Sequence, residues 1–172
     1  ITIALATSNA AMAADAEAPA TIELGATQVS GQQLGATTEG SESYTTGSMK
    51  TATKLPLTLR ETPQAVTVIT RQRMDDQAMT SINDVVNATP GLFLNYSNGP
   101  GRQGFTARGF DIDNLMYDGI PSGYNGASVG AQPNLAMFDR VEVVRGATGL
   151  VTGAGNPSAA INLIRKRPLD EQ

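Results

Sequence analysis

At 172 residues with a net charge of −4, the chain has room for one ordinary domain with tails and lacks the basic excess of a nucleic-acid binder. Cysteine and histidine are both absent, which removes disulfides, thiol and imidazole catalysis, and ordinary zinc or haem ligation together. Tryptophan is absent too and only 5% of residues are aromatic, so the core has to be largely aliphatic. No apolar run reaches the roughly 20 residues of a membrane-spanning helix.

The first 13 residues, ITIALATSNAAMA, are small and apolar and end in Ala11-Met12-Ala13, an A-x-A cleavage pattern. They read as the tail of a secretory signal peptide or, alternatively, as a disordered alanine-rich terminus. Residues 14–50 read as a flexible segment. Within it, 21–29 (TIELGATQV) alternates enough to form an extended strand where a partner offers an edge. From 30 to 50 the composition is Gly, Ser, Thr, Gln and Glu, too little apolar surface to offset the entropy of ordering. A compact domain is expected over 51–168, with 169–172 beginning a link to something further.

Residues 55–59 are extended, with Pro56 confining them to an edge or a loop. The run 65–69, AVTVI, is a strand, and Thr70 caps a helical turn over 71–77. Ser81 caps a second helix with Asp84 in its first turn; Ile82, Val85 and Val86 repeat at helical spacing, and Pro90-Gly91 ends the run before a strand at 92–94. Residues 99–104, GPGRQG, fit GxGxxG by letter. A dinucleotide site needs a helix N-terminus next, whereas 105–110 (FTARGF) alternates as a strand. Asp111-x-Asp113 lacks the glycine and distal glutamate of a calcium loop. Residues 122–132 form a Gly- and Ser-rich loop, and 133–137 a short helical turn.

Two β-branched runs follow, 141–144 and 159–164, flanking a segment rich in glycine that has no P-loop lysine. Arg140, Glu142 and Arg145 lie in the first of these strands and project from both its faces, so they need partners.

Four blocks carry a resemblance: TKLPLTLRETPQAVTVITRQRMDDQ, SINDVVNATPG, RGFDIDNLMYDGIP and VEVVRGATGLVTGAGNPSAAINLIRKRP. In this order they resemble the plug domain of TonB-dependent outer-membrane receptors, most of all the ferric-siderophore receptors of Gram-negative bacteria. The resemblance implies an α+β fold, a small mixed, mainly four-stranded sheet with short helices. It would sit inside a β-barrel absent from this chain, with 169–172 starting the link to it. It implies a non-enzymatic plug that binds ferric siderophore and gates its TonB-driven passage from the outer membrane into the periplasm. No cofactor is intrinsic, and iron arrives already chelated.

The same resemblance distributes roles. Arg102, Tyr96, Tyr124 and Asn125 would meet the ligand. The segment 21–29 would be the TonB box, with Ile22, Glu23, Leu24 and Gly25 pairing as a strand with TonB. Arg108 and Arg145, with Glu142, would interlock plug and barrel; local pairing of the arginines with Glu142 or Asp118 is the alternative. Other readings in play are a receptor for another scarce ligand such as cobalamin or a glycan, and a non-transporting soluble periplasmic binding module.

Overall fold

The computed structural model describes residues 36–96, 103–122, 132–148, 153 and 157–168, all within one compact unit, Gln32–Gln172. The AVTVI run folds as β1 (Ala65–Thr70), and the Thr70 hydroxyl accepts from the Arg73 N–H to start α1 (Arg71–Asp76). At the start of α2 (Ile82–Ala88) the Asp84 carboxylate accepts from the N–H groups of Thr80 and Ser81, both at 2.9 Å. Burial opposes ionisation of Asp84, but these bonds outweigh it and hold the carboxyl below its usual range. Gly91, at φ +83°, turns the chain into β2 (Leu92–Asn95).

Next come β3 (Gly104–Ala107), β4 (Phe110–Asp111), β5 (Asn114–Tyr117) and β6 (Ile120–Pro121). The run 105–110, expected as one strand, instead folds back on itself. Arg108 and Gly109 both take positive φ, 56° and 83°, in a two-residue turn that sets Ala107 opposite Phe110. Asp118-Gly119 repeats this between β5 and β6. A 3₁₀ turn, Leu135–Met137, then enters β7 (Phe138–Arg145), and the chain closes on β8 (Ala159–Arg165).

The main sheet runs β1-β7-β8-β5-β6, antiparallel except for the parallel β5–β8 pair; β2-β3-β4 form a separate three-stranded sheet. Since β6 contributes only two residues, the sheet is mixed and mainly four-stranded, as expected. Alternation sorts its faces. One face sends Ile69, Val141, Val143, Ile161 and Leu163 into a core with Met74, Ile82, Val85, Val86, Phe105 and Phe138. Each such large apolar side chain contributes about 1.5–3 kcal/mol on burial. The other face carries only a small apolar cluster: Val68 and Val144 under Met49 and Ala52.

That second cluster corrects the expected domain boundary. The flexible segment 14–50 does not extend to 50: residues 36–50 lie on the sheet, with Thr38, Thr46 and Met49 buried. Met49 pairs with Leu57 in an isolated antiparallel bridge. The composition argument failed because polar contacts, rather than apolar area, hold most of this strap.

Candidate functional site

Strap and sheet are joined through the charged start of β7. The pairing of β7 with β8 is irregular between Phe138 and Arg140, a bulge that leaves Asp139 without a register partner. Normal alternation would send Asp139 and Arg140 to opposite faces. With the bulge, Asp139, Arg140 and Glu142 form one cluster, exposed by 2%, 8% and 0%. Arg140 Nη1 donates to Asp139 Oδ2 and Nε donates to Glu142 Oε1, each at 2.8 Å.

Two buried carboxylates against one guanidinium leave a negative excess, which costs free energy unless other donors face it. The strap, together with Thr51 directly after it, supplies them. The Thr38 and Glu39 N–H groups donate to Asp139 Oδ1 at 2.9 and 2.6 Å. The Thr51 hydroxyl donates to Glu142 Oε2 at 2.5 Å, with the Thr51 N–H at 3.3 Å. Thr51 Oγ1 in turn accepts from Asn162 Nδ2 at 2.7 Å, and Asn162 Oδ1 accepts from the Gly119 N–H at the β5–β6 turn. A polar chain thus runs from Thr38 to Gly119 across three strands. Two outer ties add to it, Glu39–Lys166 at 2.6 Å and Tyr44 to Asp76 at 2.6 Å.

Glu142 is therefore corrected. The resemblance implies a role at the barrel, but the residue is wholly buried and committed to Arg140 and Thr51. The arginines also depart from the local alternative, because Glu142 faces Arg140 and Asp118 faces Arg165. Arg145 lies on the opposite face of β7 from Glu142. Its Nη1 donates to the Pro90 carbonyl at 2.9 Å, and its Nε is buried with no partner among the described residues. The guanidinium of Arg108 rests on Gly146, the residue after Arg145; a Cβ there would lie 2.9 Å from Arg108 Nη1. Among the described residues neither arginine has a carboxylate in ion-pair range.

Of the other expected site residues, Tyr96 is 63% exposed, at the end of β2. Arg102, Tyr124 and Asn125, the segment 21–29 with Ile22, Glu23, Leu24 and Gly25, and residues 169–172 lie outside the described residues. Among those described, no three carboxylates, cysteines or histidines cluster to hold a metal ion. Sequence reasoning missed Thr38, Thr51, Asn162 and Asp139. The one available signal was Asp139-Arg140-x-Glu142, three charges entering a strand otherwise built of valine.

Comparison with known proteins agrees with this architecture. The pattern of the family described as TonB-dependent Receptor Plug Domain matches residues 58–160. The ferripyoverdine receptor of Pseudomonas aeruginosa is 50% identical over 159 residues, which takes in 90% of this chain and 19% of that protein. The crystal structure of that outer-membrane receptor bound to ferripyoverdine is similar at a TM-score of 0.72 and 50% identity, covering 78% of this chain and 18% of its own. The alcaligin outer-membrane receptor FauA of Bordetella pertussis reaches a TM-score of 0.70 at 45% identity, covering 80% of this chain and 24% of its own. The chain thus spans about a fifth of the length of the curated relatives it matches.

Proposed function

The chain belongs to the family of TonB-dependent receptor plug domains, and on that premise we propose that it gates an outer-membrane active transporter for a ferric siderophore. The observation that carries this is identity of 50% along 90% of the chain to a protein named as a ferripyoverdine receptor. Ferripyoverdine is accordingly the first ligand to test. Iron enters already chelated, as the siderophore's cargo. The domain is part of a receptor rather than an enzyme, seated in the barrel of the whole protein with its N-terminal side toward the periplasm.

Within that reading Arg102, Tyr96, Tyr124 and Asn125 meet the ligand, and 21–29 pairs with TonB as an added strand. The strap supports the coupling. A pull applied at 21–29 reaches Thr38 and Thr51 before it reaches the sheet, and these residues are held by hydrogen bonds that water can replace. Arg108 and Arg145 form the plug's half of the interlock with barrel carboxylates. The buried Nε of Arg145, without a partner among the described residues, supports that reading.

Growth of a deletion strain on a panel of ferric chelates, ferripyoverdine first, tests the proposal. Complementation by the whole receptor should restore growth on at least one chelate. Ile22→Pro or Leu24→Pro should abolish uptake while surface binding survives, because proline removes a ladder donor. Undiminished growth of the deletion strain on every chelate overturns the transport reading.

A further inference from the structure

The two sheets share no strand pairing, yet two arginines cross between them in opposite directions. Arg145 ends β7 of the main sheet and donates from Nη1 to the carbonyl of Pro90, just before β2 of the small sheet. Arg108 sits in the β3–β4 turn of the small sheet and lays its guanidinium on Gly146, the residue directly after β7. Leu92 pairs with Ala107, so Pro90 and Arg108 leave the small sheet at the same end. Gly146 is buried, and its N–H donates to the Ser158 carbonyl at 2.9 Å. A Cβ on Gly146 would stand 2.9 Å from Arg108 Nη1, 3.4 Å from Cζ and 3.5 Å from Nη2. At Gly40, Gly91, Gly109, Gly119 and Gly153, the other described glycines of positive φ, it would meet nothing within 4 Å.

We propose that Gly146 is a positioning residue for Arg108: its bare backbone is the seat on which the guanidinium lies, and the seat aims Arg108 at the partner it meets outside the plug. Three observations carry this. Gly146 combines a φ of +107° with a contact that leaves no room for a side chain, so backbone and space both call for glycine. Arg108 itself takes a φ of 56°, unfavourable for a long side chain; the sister turn gives that place to Asp118, a residue type that tolerates it better. A strained position held by an arginine points to use of its side chain. Finally, Arg108 is exposed and its guanidinium makes no hydrogen bond among the described residues, so its donors stay open while its plane is held. Holding a long side chain in advance removes ordering entropy from the encounter and favours a planar, bidentate acceptor such as a carboxylate. That this carboxylate belongs to the barrel rests on the proposed interlock.

The test uses the whole receptor. A crystal structure of the Gly146→Ala variant should show the path of β7 kept and the Arg108 guanidinium displaced from residue 146; a guanidinium left in place overturns the seat. Uptake of radiolabelled ferripyoverdine should fall about tenfold in Gly146→Ala and in Arg108→Ala, and no further in the double variant, because one residue acts through the other. Gly119→Ala, which carries similar strain at φ +83° with open space around the Cβ, should stay near the parent. A double variant showing the product of both single losses, or an equal loss in Gly119→Ala, makes Gly146 a backbone requirement alone and overturns the positioning role. Should Gly146→Ala fail to assemble, Arg108→Lys decides. It keeps the charge without the planar fork, so uptake should fall as in Arg108→Ala, and parental uptake overturns the proposal. A displaced guanidinium beside undiminished uptake in Arg108→Ala confirms the seat and overturns the interlock instead. The crystal structure decides the seat even where the parent takes up no ferripyoverdine, a result that overturns the ligand reading alone.

Discussion

Replacing Thr51 by valine keeps the shape of the side chain and deletes one hydroxyl at the point where strap, β7 and β8 meet. That hydroxyl donates to the buried Glu142 carboxylate at 2.5 Å and accepts from Asn162 Nδ2 at 2.7 Å. A bond to a charged group contributes about 1.5–3 kcal/mol and a neutral one about 0.5–1.5 kcal/mol. The substitution should therefore cost about 2–4.5 kcal/mol, since the 3.3 Å contact from the Thr51 N–H is too long to compensate. Urea denaturation of the purified chain followed by far-UV circular dichroism reads this, there being no tryptophan to report by fluorescence. With a slope of about 1–3 kcal/mol per molar urea, the midpoint should drop by about 1–2 M. Thr53→Val, whose hydroxyl makes only long, exposed contacts to the Leu55 carbonyl and N–H at 3.4 and 3.3 Å, serves as control and should shift it little. A Thr51→Val midpoint matching the control would refute the claim that polar contacts hold the strap.

The remaining predictions use other elements. Ala78 sits at φ 50° just beyond α1, where the Met79 N–H closes back on the Met74 carbonyl, so Ala78→Gly should stabilise the chain by about 0.5–1 kcal/mol in the same urea titration. Asp84 has its carboxyl held below the usual range, so its contribution is complete above the unfolded carboxylate value of about 3.9 and is lost as pH falls through the lower folded value. Asp84→Asn should flatten the acid limb of the stability–pH curve below about pH 4, and an unchanged limb would remove Asp84 from the account. Arg145→Ala should change the stability of this chain by no more than about 1 kcal/mol, because the one side-chain bond it makes among the described residues, to Pro90, is exposed. In the whole receptor the same change should cost several kcal/mol by stranding a barrel carboxylate, seen as antibiotic leakage or lost uptake; equal effects in both would make Arg145 a residue of the plug's own fold.

What the sequence determined by itself lies mostly within single windows of chain. Thr70 and Ser81–Asp84 mark helix starts because a cap is a contact between residues three or four apart. The strands at 65–70, 138–145 and 159–165 are legible because β-branched runs favour extended backbone whatever surrounds them. The order of four such blocks was enough to place the family. Tertiary structure decided the rest. The run 105–110 alternates like a strand, yet Arg108 and Gly109 break it, because a positive φ at a non-glycine residue has no pattern in hydropathy. The bulge at Asp139 brought that carboxylate into one buried cluster with Arg140 and Glu142, where simple alternation would have sent it to the other face. The strap over 36–50 looked too polar to order, since composition counts apolar area and cannot count partners. Thr38 finds Asp139 at a separation of 101 residues, Thr51 finds Glu142 at 91, and Asn162 finds Thr51 at 111. Those bonds exist only once the sheet has brought their ends together, so the physical reason the strap folds lies in the fold itself.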